Sequence, residues 1–376
     1  MLQAFSLARN LEKSVPGASV EIVDQRYPAK VAVYGPPTSD RTRTLETFLD
    51  ETLPLSSDKF VDDGHLRSFS YVRTNCSAVV TGSDELWKVK YSRKFLGLVA
   101  EQSDPWCPAF PNAYWADGSL GIPRIAYAAS VGSTDWRTIP SRHREQMREI
   151  LSGYSLLGIR DERTLRFLEW LDPQLREKGE WVPDPTFSYD FQSLVDREAL
   201  RRRLEQAGVD FSRPRVGVVL MDSPPGNAVL RQLREKGWQV VSFTLANKEA
   251  DVPLHDLGLT PLEWSVALGM MDFCILQRMH ACISCLLSGT PFVAVDFYGN
   301  PLDDDTKLKD LLRRFNVGHF YASPAENGKL DLERPVQLIT AGEWPREAVA
   351  QTVVMFRRRS EEFTGKVREV ITGASK

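Results

Sequence analysis

The stretch from Asp272 to Tyr298 constrains the fold most, because it contains two short apolar runs separated by one apolar helix. Phe273 to Leu276 and Phe292 to Val295 have the length and composition of strands that are buried in a parallel sheet. Between them, Ala281 to Leu287 is small and apolar, as is typical of a helix packed on a sheet, and a Gly-Thr-Pro turn ends it. This order of elements predicts a βαβ unit and therefore an α/β fold.

The junction between the first of these strands and the helix carries the strongly polar residues Gln277, Arg278 and His280. In an open parallel sheet, ligands bind beyond the carboxyl ends of the strands, where the next helix offers unpaired N–H groups. A guanidinium and an imidazole two residues apart at this point indicate an anion site. The alternative is a surface arginine beside a histidine whose hydrogen bonds are satisfied within the protein.

Strand and helix patterns alternate along the whole chain, which favours parallel sheets covered by helices. The apolar runs predict strands at residues 20–23, 78–81, 124–130, 155–159, 215–220 and 238–243, and helical periodicity predicts helices at residues 2–11, 42–53, 140–151, 164–171, 227–236, 261–270, 308–315 and 346–371.

The length of 376 residues exceeds one ordinary core and suits two domains. We expect an N-terminal α/β domain at residues 1–195, a C-terminal α/β domain at 196–345 and a terminal helix at 346–376. A Rossmann-like domain normally opens with a strand, whereas this chain opens in a helical pattern. Either the opening strand has been lost or the natural start lies upstream of Met1.

Composition excludes several classes of protein. A net charge of −3 and a pI near 6.1 argue against nucleic acid as the main ligand, and no apolar stretch has the length of a membrane span. Five cysteines without regular spacing indicate a reduced, cytoplasmic protein. Cys282 and Cys285 form a C-x-x-C inside the apolar helix, where buried small side chains are a better interpretation than a redox or zinc motif.

Polar groups also follow two predicted strands of the first half. Ser83 and Asp84 follow strand 78–81, and Arg160 and Asp161 follow strand 155–159. These positions suit a ligand edge, although turns and helix caps explain the serine and the aspartates equally well.

Aromatic side chains in and near the Pro-rich and Trp-rich segment 101–120 suit stacking on a sugar ring, with core packing as the alternative. They are Trp87, Trp106, Tyr114 and Trp115. The acidic run 303–305 suits either a metal or the N-terminus of a helix.

Six segments together resemble the polysaccharide pyruvyl transferase family, in the family's order and over most of the chain. They are LQAFSLARNLEK, TGSDELWK, IAYAASVG, IRDERTLRFL, PDPTF and RMHACISCLLSGTPFVAVDF. The strand and Asn-Tyr-Gly loop that normally precede the first segment in the family are absent here. The resemblance implies two Rossmann-like domains facing across a cleft (a GT-B-like fold), with a C-terminal helix that crosses back.

The resemblance also implies a reaction, in which pyruvate moves from phosphoenolpyruvate to two hydroxyls of a sugar as a cyclic ketal and phosphate is released. It implies no metal or cofactor besides this co-substrate. Arg278 and His280 are carried over as donor-binding and catalytic residues, and Arg160 as a donor-binding residue. Ser83 and Asp84 are carried over to the acceptor side, where Trp87 and Trp115 are further candidates.

The expected partners are the donor and a glycan or lipid-linked saccharide, with peripheral membrane association through that acceptor and no nucleic acid. His280 suits a general acid or base, or the cation that assists phosphate departure. Asp84 or Asp161 suits deprotonation of an acceptor hydroxyl, with a helix cap or an arginine partner as the alternative. Two other functions stay open: a GT-B-type glycosyltransferase that uses a nucleotide sugar, and a non-catalytic glycan-binding protein.

Overall fold

The computed structural model describes residues 1–28, 39–62, 64–94, 99–102, 107–243, 246–297, 306–324 and 330–373. Contacts divide them into two compact units. The N-terminal unit contains residues 3–28, 50–189 and 356–373, and the C-terminal unit contains residues 1–2, 39–49 and 190–355. The main segment of the C-terminal unit begins at Asp190, whereas the sequence prediction began this domain at residue 196. The terminal helix contributes residues to both units.

The N-terminal unit is built on four parallel strands that follow one another in the sheet in chain order. Their carboxyl ends therefore share one edge, which we call the N-terminal edge because it belongs to the N-terminal unit. The four strands are Val79–Asp84, Arg124–Ala129, Leu156–Ile159 and Gly179–Trp181. Ile22–Arg26 and Leu55–Val61 form a separate parallel pair, and Tyr91–Lys94 and Val99–Gln102 form an antiparallel pair.

The longer helices of this unit have apolar stripes at helical spacing, which they bury. Glu162–Leu171, for example, buries Leu165, Phe167 and Leu168. The helices of this unit are Leu2–Ser14, Leu66–Asn75, Ser141–Ser152, Glu162–Leu171 and Pro173–Lys178, with short 3-10 turns at Gly118–Leu120, Trp136–Thr138 and Pro185–Phe187.

The C-terminal unit contains a six-stranded parallel sheet. In spatial order its strands are Val252–Pro253, Gln239–Ser242, Arg215–Val219, Phe273–Leu276, Phe292–Val295 and Tyr321–Ala322. The chain builds outward from Arg215–Val219 in one direction, then returns to Phe273–Leu276 and builds in the other. The topological switch point, where ligands bind in such sheets, therefore lies between these two central strands.

Four helices of this unit lie close to predicted positions, and Glu333–Thr340 was not predicted. The helices of this unit are Arg197–Gln206, Pro224–Glu235, Pro261–Leu268, Met279–Ser288, Lys307–Arg314 and Glu333–Thr340, with 3-10 turns at Phe191–Leu194 and Gly318–Phe320. Asp40–Thr52 and the terminal helix Arg346–Thr372 have residues in both units. Within the described ranges, no helix is long and apolar enough to cross a membrane.

The predicted α/β class with parallel sheets is confirmed, and the strands Phe273–Leu276 and Phe292–Val295 have their predicted bounds. Cys282 and Cys285 are fully buried inside their helix, as expected. The sequence prediction missed the strand Leu55–Val61. Its sequence LSSDKFV is polar in the middle, and three of its central residues are exposed, so it lacks the continuous apolar run of the other strands.

Candidate functional site

Arg160 is the central side chain of the N-terminal edge. It directly follows the strand Leu156–Ile159, and its side chain retains only 4% exposure. One guanidinium nitrogen lies 3.2 Å from Asp184 Oδ2, and the other terminal nitrogen lies 3.3 Å from Asp84 Oδ1. Two carboxylates of the same unit therefore pair with this arginine.

Asp184 is held in place by a turn that its own side chain caps. Its Oδ1 accepts hydrogen bonds from the backbone N–H of Thr186 at 3.0 Å and from the hydroxyl of that residue at 2.7 Å. Its Oδ2 accepts a hydrogen bond from Gln3 Nε2 at 2.6 Å. With 1% of its side chain exposed, this carboxylate forms a fixed buried partner for Arg160.

Asp84 differs from Asp184 because 43% of its side chain is exposed. The preceding strand lies very close to its neighbour, and any Cβ on Gly82 would collide with the backbone of Tyr127. The backbone carbonyl of Asp84 accepts a hydrogen bond from Ser130 N–H at 3.0 Å. The sequence Gly-Ser-Asp thus presents one solvent-facing carboxylate beside a buried arginine, while the neighbouring Ser83 is buried.

Asp161, the other predicted base, caps a helix. Its Oδ1 accepts hydrogen bonds from the backbone N–H and the hydroxyl of Thr164, at 2.9 and 2.7 Å. It is buried, and the helix Glu162–Leu171 begins directly after it. Of the two alternatives in the sequence, the cap explains this residue.

The pKa values of Arg160 and Tyr114 at this edge are both raised, for different reasons. Burial lowers the pKa of Arg160, but the negative charges of Asp84 and Asp184 outweigh it and raise the pKa above its ordinary value. Burial, with a smaller effect of Asp84, raises the pKa of Tyr114 from 10.0 to about 12. The arginine is therefore permanently charged, and Tyr114 is a neutral phenol near a carboxylate at ordinary pH.

The structure does not support Trp87 and Trp115 as acceptor-stacking residues. Their exposures are 0% and 1%, and their rings stack on each other with centroids 5.6 Å apart. Trp87 Nε1 donates a hydrogen bond to the carbonyl of Tyr114. Core packing, the other alternative, explains both indoles. Trp106 and the acidic run 303–305 lie outside the described residues.

The switch point of the C-terminal unit brings together Gln277, Arg278 and His280. Gln277 is fastened to the end of the neighbouring strand, since its backbone N–H donates to Val219 O at 2.9 Å and its Oε1 accepts from Met221 N–H at 2.7 Å. Arg278 comes next, at the N-cap of the helix Met279–Ser288.

Arg278 is exposed, and within the described part of the chain it forms neither a hydrogen bond from its side chain nor an ion pair. His280 lies half-buried in the first turn of the helix that follows. A cation without an internal counter-ion beside a helix N-terminus suits the binding of an external anion.

A family model described as polysaccharide pyruvyl transferase matches residues 1–297. The chain belongs to this family. The matched range contains both edges described above, and the resemblance of the six sequence segments is thereby confirmed.

Solved structures similar to this pyruvyl transferase family member share little sequence with it. Sucrose-phosphate synthase from Thermosynechococcus elongatus is 12% identical, with a TM-score of 0.43, and the match covers 69% of this chain and 73% of the synthase. S. aureus MnaA, solved with UDP, is 11% identical over 93% and 94% of the two chains, with a TM-score of 0.44. The wall teichoic acid polymerase TagF is 10% identical over 98% and 92%, with a TM-score of 0.39. No curated protein sequence matches this chain.

Among the described residues of this family member, no group of three or more His, Cys, Asp or Glu side chains is arranged to hold a metal ion. Sequence reasoning missed Asp184 as the buried partner of Arg160. The Asp-Pro-Thr turn was visible as a signal, but the pairing joins residues 24 positions apart. Sequence reasoning also assigned no separate role to Gln277. Its side chain accepts a hydrogen bond from Met221 N–H, and this contact depends on the order of the strands in the sheet.

Proposed function

We propose that this protein transfers pyruvate from phosphoenolpyruvate to two hydroxyls of a saccharide, as a cyclic ketal, and releases phosphate. Membership of the pyruvyl transferase family supports the reaction class. The single structural observation that carries the proposal is Arg278, an exposed arginine without an ion pair in the described chain, two residues before His280 at the switch point. The acceptor is proposed to be a polysaccharide or its lipid-linked precursor, reached in the cytoplasm.

The proposed reaction balances without an oxidant or a reductant. The first sugar hydroxyl forms a bond from its oxygen to C2 of phosphoenolpyruvate, and one proton goes to the C3 methylene, which becomes a methyl group. The bond from C2 to the phosphate oxygen then breaks. The second hydroxyl bonds to C2 and loses its proton, which leaves with inorganic phosphate.

Arg278 and His280 have the chemistry to hold and activate the donor. A guanidinium forms two parallel hydrogen bonds with a phosphate or a carboxylate, and such charged hydrogen bonds are stronger than neutral ones. His280 can deliver the proton to C3, or it can stabilise the leaving phosphate as an imidazolium. Both roles place this histidine in contact with reacting atoms.

Asp84 is the best candidate for the base that deprotonates an acceptor hydroxyl. It is the more exposed carboxylate beside Arg160, because Asp184 is buried in its turn. Asp161 caps a helix. In this proposal, Arg160 orients Asp84 through the ion pair between the two side chains. The expectation that Arg160 also contacts the donor stays a prediction, as does a role for Ser83.

The test measures phosphate release from phosphoenolpyruvate with a panel of glycans and lipid-linked saccharides, beside nucleotide release from a panel of nucleotide sugars. We expect phosphate release only, and we expect it to persist with a metal chelator present. His280→Ala should lower phosphate release by roughly 10²–10⁴-fold, as removal of an acid or base does. The matched control is His319→Ala, because His319 is an exposed histidine of the same unit. This substitution should leave the rate unchanged.

Nucleotide release instead of phosphate release would replace this proposal with the glycosyltransferase alternative. If His280→Ala stays within about tenfold of wild type, His280 is not the acid or base. Absence of both products with every acceptor, combined with tight glycan binding, would favour a non-catalytic glycan-binding protein.

A further inference from the structure

Gln277 has a side-chain amide whose orientation is fixed by its neighbour. The backbone N–H of Met221 can only donate, so the atom of Gln277 that lies 2.7 Å from it must be the carbonyl Oε1. The NH₂ group therefore occupies the other end of the amide. The backbone of Gln277 is fastened to Val219 as well, so the residue has little freedom to turn.

The NH₂ group of Gln277 has no hydrogen-bond partner among the described residues, although the residue is only 8% exposed. Most buried side-chain donors in proteins have a partner, and one without a partner is costly. Gln277 directly precedes the N-cap of the helix Met279–Ser288. A spare donor therefore belongs to the residue that directly precedes the exposed Arg278 at the switch point of the sheet.

Two helices begin at this switch point, and their N-termini differ. The helix Pro224–Glu235 starts with two prolines, which have no N–H, and the side chain of Ser223 caps it by accepting from Gly226. The helix Met279–Ser288 has ten residues, and the side chain of its N-cap residue Arg278 makes no capping hydrogen bond. The positive end of the dipole of this second helix therefore lies beside Arg278 and Gln277 without a capping side chain from the N-cap residue.

We propose that Gln277 is a positioning residue for the donor, and that its Nε2 donates a hydrogen bond to the donor's phosphate group at the N-terminus of Met279–Ser288. This inference rests on the proposed function, because it assigns the phosphate to phosphoenolpyruvate. Nε2 is shielded from solvent in the structure, so the neighbouring side chains must shift slightly when the phosphate binds. The amide then gains the partner that it lacks in the free protein.

Two substitutions separate this role from simple fastening of the loop. Gln277→Glu keeps an oxygen that accepts from Met221 N–H but replaces the NH₂ group with a second oxygen, which repels phosphate. Gln277→Met has a similar volume and removes both functions. Calorimetry should show that each variant binds phosphoenolpyruvate and inorganic phosphate at least about tenfold more weakly than wild type. In turnover, the KM for the donor should rise while kcat stays within about threefold.

The inference is overturned if Gln277→Glu binds both ligands like wild type while only Gln277→Met is impaired, since Gln277 would then only fasten the loop. If Gln277→Glu does not fold, normal phosphate binding by Gln277→Met alone would overturn it. If wild type binds phosphate but not phosphoenolpyruvate, and the variants lose phosphate, the proposed donor fails and the phosphate contact stands. If phosphoenolpyruvate binds equally to wild type and both variants, the contact fails and the proposed function stands.

Discussion

Arg160 and Arg278 both follow a short apolar strand of a parallel sheet, yet their surroundings are opposite. Arg160 is buried, with Asp184 and Asp84 at 3.2 and 3.3 Å. Arg278 is exposed and, in the described part of the chain, has no ion pair. The first guanidinium has two counter-ions within its own unit, whereas we propose an external ligand for the second. An arginine at a ligand edge can therefore serve structure or binding, and its counter-ions distinguish the two.

The largest expected effect concerns the exposed partner of Arg160. Asp84→Asn should lower the rate of pyruvyl transfer by roughly 10²–10⁴-fold, because the amide cannot accept a proton from the acceptor hydroxyl. The measurement is phosphate release under saturating donor and acceptor. Asp196→Asn, at an exposed helix cap, is the control and should leave turnover unchanged. A normal rate in Asp84→Asn would assign the base to another group.

The same substitution at the two arginines should affect stability very differently. Arg160→Met leaves the buried Asp184 without its cation, and breaking a buried pair costs about 3–5 kcal/mol of unfolding free energy. Arg278→Met removes an exposed side chain and should change the unfolding free energy by less than about 0.5 kcal/mol. Urea unfolding of the three proteins measures both values. Equal stabilities for the two variants would show that Asp184 does not need Arg160 as its buried partner.

Donor affinity should show the reverse order. Arg278→Ala should weaken phosphoenolpyruvate binding by roughly 10–100-fold, since hydrogen bonds to charged groups contribute about 1.5–3 kcal/mol. Arg202→Ala is the matched control, because Arg202 is an exposed arginine of the same unit for which the described structure shows no ion pair. An equal loss in both variants would indicate a general effect of charge and not a site.

The smallest expected effect is on the titration of Tyr114. Burial mainly, and Asp84 additionally, raise the pKa of Tyr114 above its value in the unfolded chain. The protonated phenol therefore contributes to the free energy of unfolding below pH 10, and this contribution is lost as the pH rises towards about 12. Asp84→Asn should lower this pKa only partly, because burial remains. NMR of labelled tyrosines follows the change, with Tyr154 as control because burial raises its pKa without a contribution from Asp84. An unchanged Tyr114 would show that Asp84 does not carry a nearby negative charge.

The sequence predicted most of the C-terminal sheet because its strands are continuous apolar runs that need both faces covered. Phe273–Leu276 and Phe292–Val295 are examples, and the apolar pattern alone was enough to place Arg278 and His280 at their carboxyl edge. The half-polar strand Leu55–Val61 was missed because its polar central residues are typical of a loop. Local patterns thus found the fold class and one edge.

The rest depended on contacts between distant residues. The pairing of Arg160 with Asp84 joins residues 76 positions apart, and no local pattern records it. Trp87 and Trp115 were candidates for stacking on a sugar because amphipathic aromatic side chains suit that task, with core packing as the alternative, and the two rings lie in a core. Burial and hydrogen-bond partners decide whether such a side chain contacts a ligand or serves packing and capping. Both depend on the tertiary structure.

The most direct test of the central claim is a calorimetric titration of phosphoenolpyruvate into wild type and into Arg278→Ala, with thermal unfolding to confirm that both are folded. We expect saturable binding to wild type and at least about tenfold weaker binding to the variant at unchanged stability. Equal binding to both proteins, or none to wild type, would contradict the assignment of Arg278 as the anion-binding arginine.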